Sequence, residues 1–234
     1  MANLVVRKCD GSHDVIKDCE QKMAAFCTMD PSYIEYDVDG RPHNPNNITA
    51  HQVDAMNRAL QTRSPVKVWE NHGLLVESLE ELKAIDTDWD LIAMSDEEWD
   101  TNVKGKLAKL YQRVMRANIG ASSGTKVLHL MRPRLVAIAD SVVVNYLGVP
   151  TQHHVECALI LAGEVRRIGR DEDNASTLAK VRQHLIKASV TESNVVPSAC
   201  RIIDALLWMR ANGLKRPEKA GYHRLRRQMG LASP

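Results

Sequence analysis

Aromatic side chains are scarce in this 234-residue sequence, with one Phe, four Trp and five Tyr. Its core must therefore be packed from Leu, Ile, Val, Ala and Met, which suits helices. The hydrophobic fraction of 44% excludes a disordered chain. No apolar run approaches the ~20 residues of a membrane span, so no membrane partner is expected. The opening MANLVVRKCDGSHD has no apolar stretch of secretory type. The five cysteines (Cys9, Cys19, Cys27, Cys157, Cys200) include no Cys-x-x-Cys pair. That argues against a zinc or disulfide framework and for free thiols in a reducing cytoplasm. His153 and His154 are adjacent at a helix start and point to different faces. No third ligand has metal-like spacing, and neither metal nor cofactor is expected.

Charge is nearly balanced at +2 overall but unevenly placed. Residues 70–100 hold 11 acidic and one basic residue, whereas residues 101–170 hold 11 basic and three acidic ones. A basic second half suggests a surface facing a polyanion. The alternative is ordinary solvated helix faces, with the acidic segment paired onto the basic half.

The apolar spacing is helical. Leu107, Leu110, Tyr111 and Val114 follow i, i+3, i+4, i+7, and Leu178, Val181 and Leu185 repeat the stripe after Asn174, read as an N-cap. Thr49 caps TAHQVDAMNRAL, and Ile203, Leu206 and Leu207 form a stripe between Pro197 and Gly213. Further helices are expected near 12–28, 78–86, 95–118, 152–169 and 217–229. NLVVRK (3–8) and VKVW (66–69) read as isolated short strands. Loops are expected at 30–47, 62–73, 118–124, 131–139 and 168–175. The expectation is one all-α domain over residues 1–234, with two lobes around a cleft as a variant, acting as a monomer.

The informative stretch is GTKVLHLMRPRLVAIADSVV, from Gly124 to Val143. A helix runs to Gly120, ASSG turns the chain, and Ser123 or Thr125 caps a second helix. The amides of such a turn and the positive end of the helix dipole make an anion site, with Lys126 adding charge. Glycine there can equally be a plain turn residue. Pro133 ends the second helix, LVAIA crosses as an apolar connector, and Asp140 with Ser141 opens another helix. Asp is a favoured N-cap. An oriented carboxylate also suits cleavage of an N-glycosidic bond, by stabilising a cationic sugar and activating water.

In this order of parts the chain resembles the helix-hairpin-helix DNA glycosylase superfamily over residues 107–148. Lys126, Leu128, His129, Arg132, Pro133, Leu135, Asp140, Ser141 and Val143 further resemble an uncharacterised, mostly bacterial helical family, distantly similar to 8-oxoguanine-type glycosylases. That likeness spans residues 45–213. The resemblance implies a helical fold with hairpin 107–131, an Asp-bearing connector and helix 132–148, and C-terminal helices 152–229. It implies binding of double-stranded DNA through Gly120, Ser123, Gly124, Thr125, Lys126, Arg132 and Arg134, with base flipping and excision in repair or in defence against phage DNA carrying modified bases. Asp140 would be catalytic, with Lys126 as a second catalytic candidate. Lys126 lies 14 positions earlier, about one helical turn closer than in superfamily members with a catalytic hairpin lysine. That favours a monofunctional glycosylase over a lyase. His129, Tyr36, Trp69 and Trp89 are candidates for a base pocket. Each of them, like Tyr33, is equally read as packing. A non-catalytic helix-hairpin-helix DNA-binding protein is the competing reading.

Overall fold

The computed structural model describes residues 2–29, 33–38, 41–47, 49, 51–53, 56, 78–115, 119–188 and 195–212. Trp69, the strand expected at 66–69, the loop at 62–73 and the basic segment at 217–229 lie outside the described residues.

The described chain is mostly helical but opens with an antiparallel hairpin, β1 (Leu4–Arg7) and β2 (His13–Ile16), pairing Leu4 with Ile16 and Arg7 with His13. The strand expected at 3–8 thus finds its partner in residues read as a helix start. Gly11, at φ 83°, supplies the left-handed turn between them. Asp18, at φ 56°, separates β2 from α1 (Cys19–Met29).

Residues Tyr33–Val38, expected as loop, form a π-helical turn that buries Tyr33, Tyr36 and Asp37. Thr49 caps as read: its Oγ1 accepts from Gln52 N–H at 3.4 Å, its own N–H donates to Gln52 Oε1 at 2.7 Å, and residues 51–53 and 56 are helical. α2 is Leu79–Lys83. A capped turn at Asp96–Glu98 and a π segment at Trp99–Val103 lead without a break into α3 (Lys104–Val114), whose buried stripe is Leu107, Leu110, Tyr111 and Val114.

α4 (Ala121–Met131) is the central helix, with nine of its 11 residues buried. A helix buried nearly all round sits in the middle of a core. Its N-cap is Gly120, so ASSG is its first turn rather than a loop. Gly124 sits where an added Cβ would meet Val114 and Met115 side chains at 3.3 Å. It lets α3 and α4 approach closely, where a turn was expected.

The connector residues Leu135–Ala139 are 0–3% exposed and deliver Asp140 as the N-cap of α5 (Ser141–Leu147), which ends at left-handed Gly148. α6 (His154–Arg170) and α7 (Glu172–Lys187) are separated by Asp171 alone, where a loop was expected at 168–175. Asp171, not Asn174, caps α7. Asn174 is buried instead, accepting from Val5 N–H and donating to Val5 C=O, each at 2.7 Å. α8 (Ala199–Ala211), capped by Ser198, packs against α1, α5 and α6.

α6 offers a test of this packing. An added Cβ at Gly169 would lie 2.5 Å from Ile92 Cδ1 and 2.9 Å from Ile92 Cγ2, whereas Gly163 on the same helix has open space. Gly169→Ala is expected to cost about 1–3 kcal/mol of unfolding free energy by overpacking. Gly163→Ala should be neutral or stabilising by up to about 1 kcal/mol. Urea unfolding of both variants measures this, and equal effects would contradict the packing.

Candidate active site at Asp140

Three polar residues interrupt the apolar surface of α4: Thr125, Lys126 and His129, all buried. Their i, i+3 and i, i+4 spacing puts them on one face. The connector runs back along that face. His129 Nδ1 lies 2.6 Å from Val136 C=O, Ala139 N–H donates to Thr125 Oγ1 at 2.9 Å, and Lys126 Nζ lies 3.2 Å from Asp140 Oδ2. Thr125 Oγ1 in turn donates to Ala121 C=O at 2.7 Å. These contacts answer backbone groups that an extended, buried segment would otherwise leave unpaired.

Asp140 accepts from Val142 N–H at 3.0 Å, the N-cap bond expected from sequence. Its side chain is 20% exposed and that of Lys126 8%. The carboxylate therefore sits at the rim of the core, with one oxygen on a backbone amide and the other on a mostly buried ammonium.

A second buried charge cluster adjoins it. Arg201 on α8 bonds both carboxylate oxygens of Asp37 at 2.8–2.9 Å and also bonds Asp204, one turn along. Its guanidinium stacks over the Phe26 and Tyr36 rings. Tyr36 O–H donates to Lys126 C=O at 2.6 Å, and its ring stacks on His129. Burial opposes charge on Arg201, but Asp37 and Asp204 outweigh it and hold the guanidinium protonated beyond its usual strength. Burial raises the Asp204 carboxyl to about 6; Arg201 opposes the rise, and the negative charges of Asp140 and Asp37 add to it. Burial, then the Arg201 charge, pushes His129 well below the ordinary imidazole range. The ring is therefore neutral. Since Nδ1 must donate to a carbonyl, Nε2 is a buried lone pair without a hydrogen-bond partner among the described residues.

The expected site residues divide sharply. Lys126 and Asp140 meet. Gly120 and Ser123 lie half-buried in the first turn of α4, whose N-cap makes no side-chain bond. The side chain of His154, at the start of α6, comes within 3.7 Å of the Cβ position of Gly120.

Five residues expected to contact DNA or a base lie in the core instead. Gly124 and Thr125 are buried in helix packing and face no solvent. Arg132 is 2% exposed and stitches the chain, donating to Leu82, Ile85, Pro45 and Met131 carbonyls and to Asn46 Oδ1. His129 is buried against Val136 rather than turned toward DNA or Asp140. Tyr36 is fully buried, its ring already covered by His129 and Arg201. Trp89 is half-buried under the Lys106 ammonium and lines a cleft of about 440 Å³ that does not include Asp140. Arg134 is exposed and paired with Asp90 at 3.2 Å.

Asp37 and Arg201 were missed. The signal was present in SACRIIDALLWM, where two opposite charges three residues apart interrupt an apolar helix and can be buried only as a pair. Among the described residues no three His, Cys, Asp or Glu side chains converge to hold a metal, and no helix is long and apolar enough to cross a membrane.

The chain belongs to a family of unknown function, DUF6308, which matches residues 29–211 and so covers Asp140, Lys126 and the charged cluster around Arg201. No curated protein and no solved structure matches the chain.

The buried acid gives a pH test. Asp204 titrates near 6 in the folded chain and near ~3.9 when unfolded. Between those values the folded state holds a proton that the unfolded state has released. The stability this proton provides is complete below the unfolded value and is lost as pH rises toward the folded one. Relative to Asp204→Asn, the native protein should lose up to about 1.4 kcal/mol per pH unit across that window. Urea unfolding of both proteins at a series of pH values reads the slope. Parallel profiles would mean that Asp204 is ionised throughout.

Proposed function

We propose that this chain is a monofunctional DNA glycosylase of helix-hairpin-helix type that hydrolyses the N-glycosidic bond of a modified base. The observation carrying the reading is the Asp140 carboxylate, fixed at a helix start by the Val142 amide and the Lys126 ammonium yet still partly exposed at the rim of the core. In this role Asp140 faces the sugar as the C1′–N bond breaks. The base leaves with that electron pair and takes up a proton. Water bonds to C1′ and gives up a proton, with Asp140 stabilising the positive charge that develops on the sugar.

Lys126 is held in an ion pair and mostly buried, which favours a positioning role over attack as a free amine. The uncapped N-terminus of α4 at Gly120, with Ser122 and Ser123 in its first turn, is the phosphate contact in this reading. The role is repair, or defence against phage DNA with modified bases.

One observation favours the second reading, a helical DNA-binding protein without catalysis. An N-cap bond and a buried ion pair explain Asp140 structurally without any substrate.

The test uses duplex oligonucleotides carrying oxidised, alkylated or bulky modified bases, scored for abasic sites. Asn can cap a helix as Asp does, so Asp140→Asn should stay folded. It should lose excision by about 100-fold or more. Equal excision by both proteins would sink the mechanism. No excision by either, with binding that falls steeply with salt and is unchanged by the substitution, is the result expected of the second reading.

A further inference from the structure

A separate polar cleft of about 540 Å³ lies between the β-hairpin, the Asp96–Val103 segment and the C-terminal half of α6. It is about 18 Å along α6 from His154, the residue lying against Gly120. Two guanidiniums one turn apart converge on one point in it. Arg166 Nη2 bonds Asp96 Oδ1, and Arg170 Nη2 lies 3.8 Å from Asp96 Oδ2. Arg166 is buried, with Nη1 directed at Leu91 C=O. Asp96 is the reverse, its side chain 78% exposed. The nearby Asp100 is engaged by Lys104 at 3.6 Å.

One solvated carboxylate therefore serves two guanidiniums, one of them fixed in the protein wall. Burial, then repulsion from Arg170, pushes Arg166 below its ordinary value. At this point two guanidiniums face one bonded carboxylate, with the Asp100 charge opposing the shift from nearby. Arg7 and Arg167 line the same cleft, with Arg167 anchored on Arg7 C=O and Glu164.

We propose that this cleft is a seat for a phosphate group, and that Asp96 occupies the seat when no ligand is bound. A phosphate monoester brings more charge than a carboxylate and three oxygens that suit paired guanidinium forks. The volume admits a mononucleotide or a sugar phosphate. The same chemistry is also offered by a DNA backbone phosphate. Among the described residues, exposed Asp96 is held by the two arginines and its own turn, so it is displaced without disturbing the core.

The occupied-seat arrangement predicts an inverted sign. Removing one partner of an ion pair normally weakens a protein; here removing Asp96 should strengthen ligand binding. Calorimetric titration with inorganic phosphate, dAMP and a short DNA duplex, on the full chain, tests it. Asp96→Ala and Asp96→Asn should bind phosphate several-fold more tightly than the native protein. Arg170→Gln, at an exposed position, should bind it several-fold more weakly. Asp88→Ala, an exposed acid elsewhere, should leave the affinity unchanged. A gain with dAMP alone identifies a small phosphate monoester as the ligand, and a gain with the duplex identifies a backbone contact. No gain in either Asp96 variant, or an equal gain in Asp88→Ala, overturns the proposal and leaves Asp96 as a tether for α6. The outcome is independent of base excision at Asp140.

Discussion

An extended apolar segment crosses the middle of this protein, and burying its backbone is the constraint that shapes the rest. Leu135–Ala139 are nearly inaccessible, so their peptide groups cannot turn to water. α4 supplies the partners. Thr125 takes the Ala139 amide, His129 answers the Val136 carbonyl, and Lys126 meets Asp140 where the segment ends. Three polar side chains on one face of a buried helix would be a liability alone. Laid against the connector, they fix its register and hence the place where α5 begins. The position of the candidate catalytic carboxylate is thus set by the packing that makes the core.

The charge segregation of the sequence resolves in part into internal pairing among the described residues. Acidic residues from 78–100 meet basic residues from 101–170 as Glu81–Arg113, Asp90–Arg134 and Asp96 with Arg166 and Arg170. The exposed pairs among these contribute little stability, about 0–1 kcal/mol each. Their effect is to lower the positive potential of the second half, so a polyanion meets less free charge than the sequence count suggests. The buried charges behave differently. Arg201 binds two carboxylates beneath the Asp140–Lys126 pair, and separating it from them would leave ionised groups in a dry core.

Periodicity made α3, α7 and α8 legible, because their apolar stripes repeat at helical spacing. Cap chemistry made Thr49 and Asp140 legible, because a side-chain oxygen three residues or fewer from its amide is a local interaction. The hairpin was not legible. His13–Ile16 has too little apolar alternation to announce a strand, and its pairing with Leu4–Arg7 depends on the Gly11 turn. The π-helical turn at Tyr33–Val38 was hidden by flanking Pro, Gly and Asp, while its burial depends on Arg201, 164 residues after Asp37. Arg132 shows the same limit. Beside a proline it reads as a surface residue, and only the folded chain brings five acceptors around it.

Asn174 has a consequence for the β-hairpin it touches. Its carboxamide receives the Val5 N–H and gives to the Val5 C=O, the two bonds that a neighbouring strand's peptide would make. A side-chain amide from α7 thus takes the place of a third strand on β1. An unpaired strand edge is a template for pairing with another chain. One buried asparagine therefore closes that edge, and it protects the protein from self-association as much as it holds the hairpin in place.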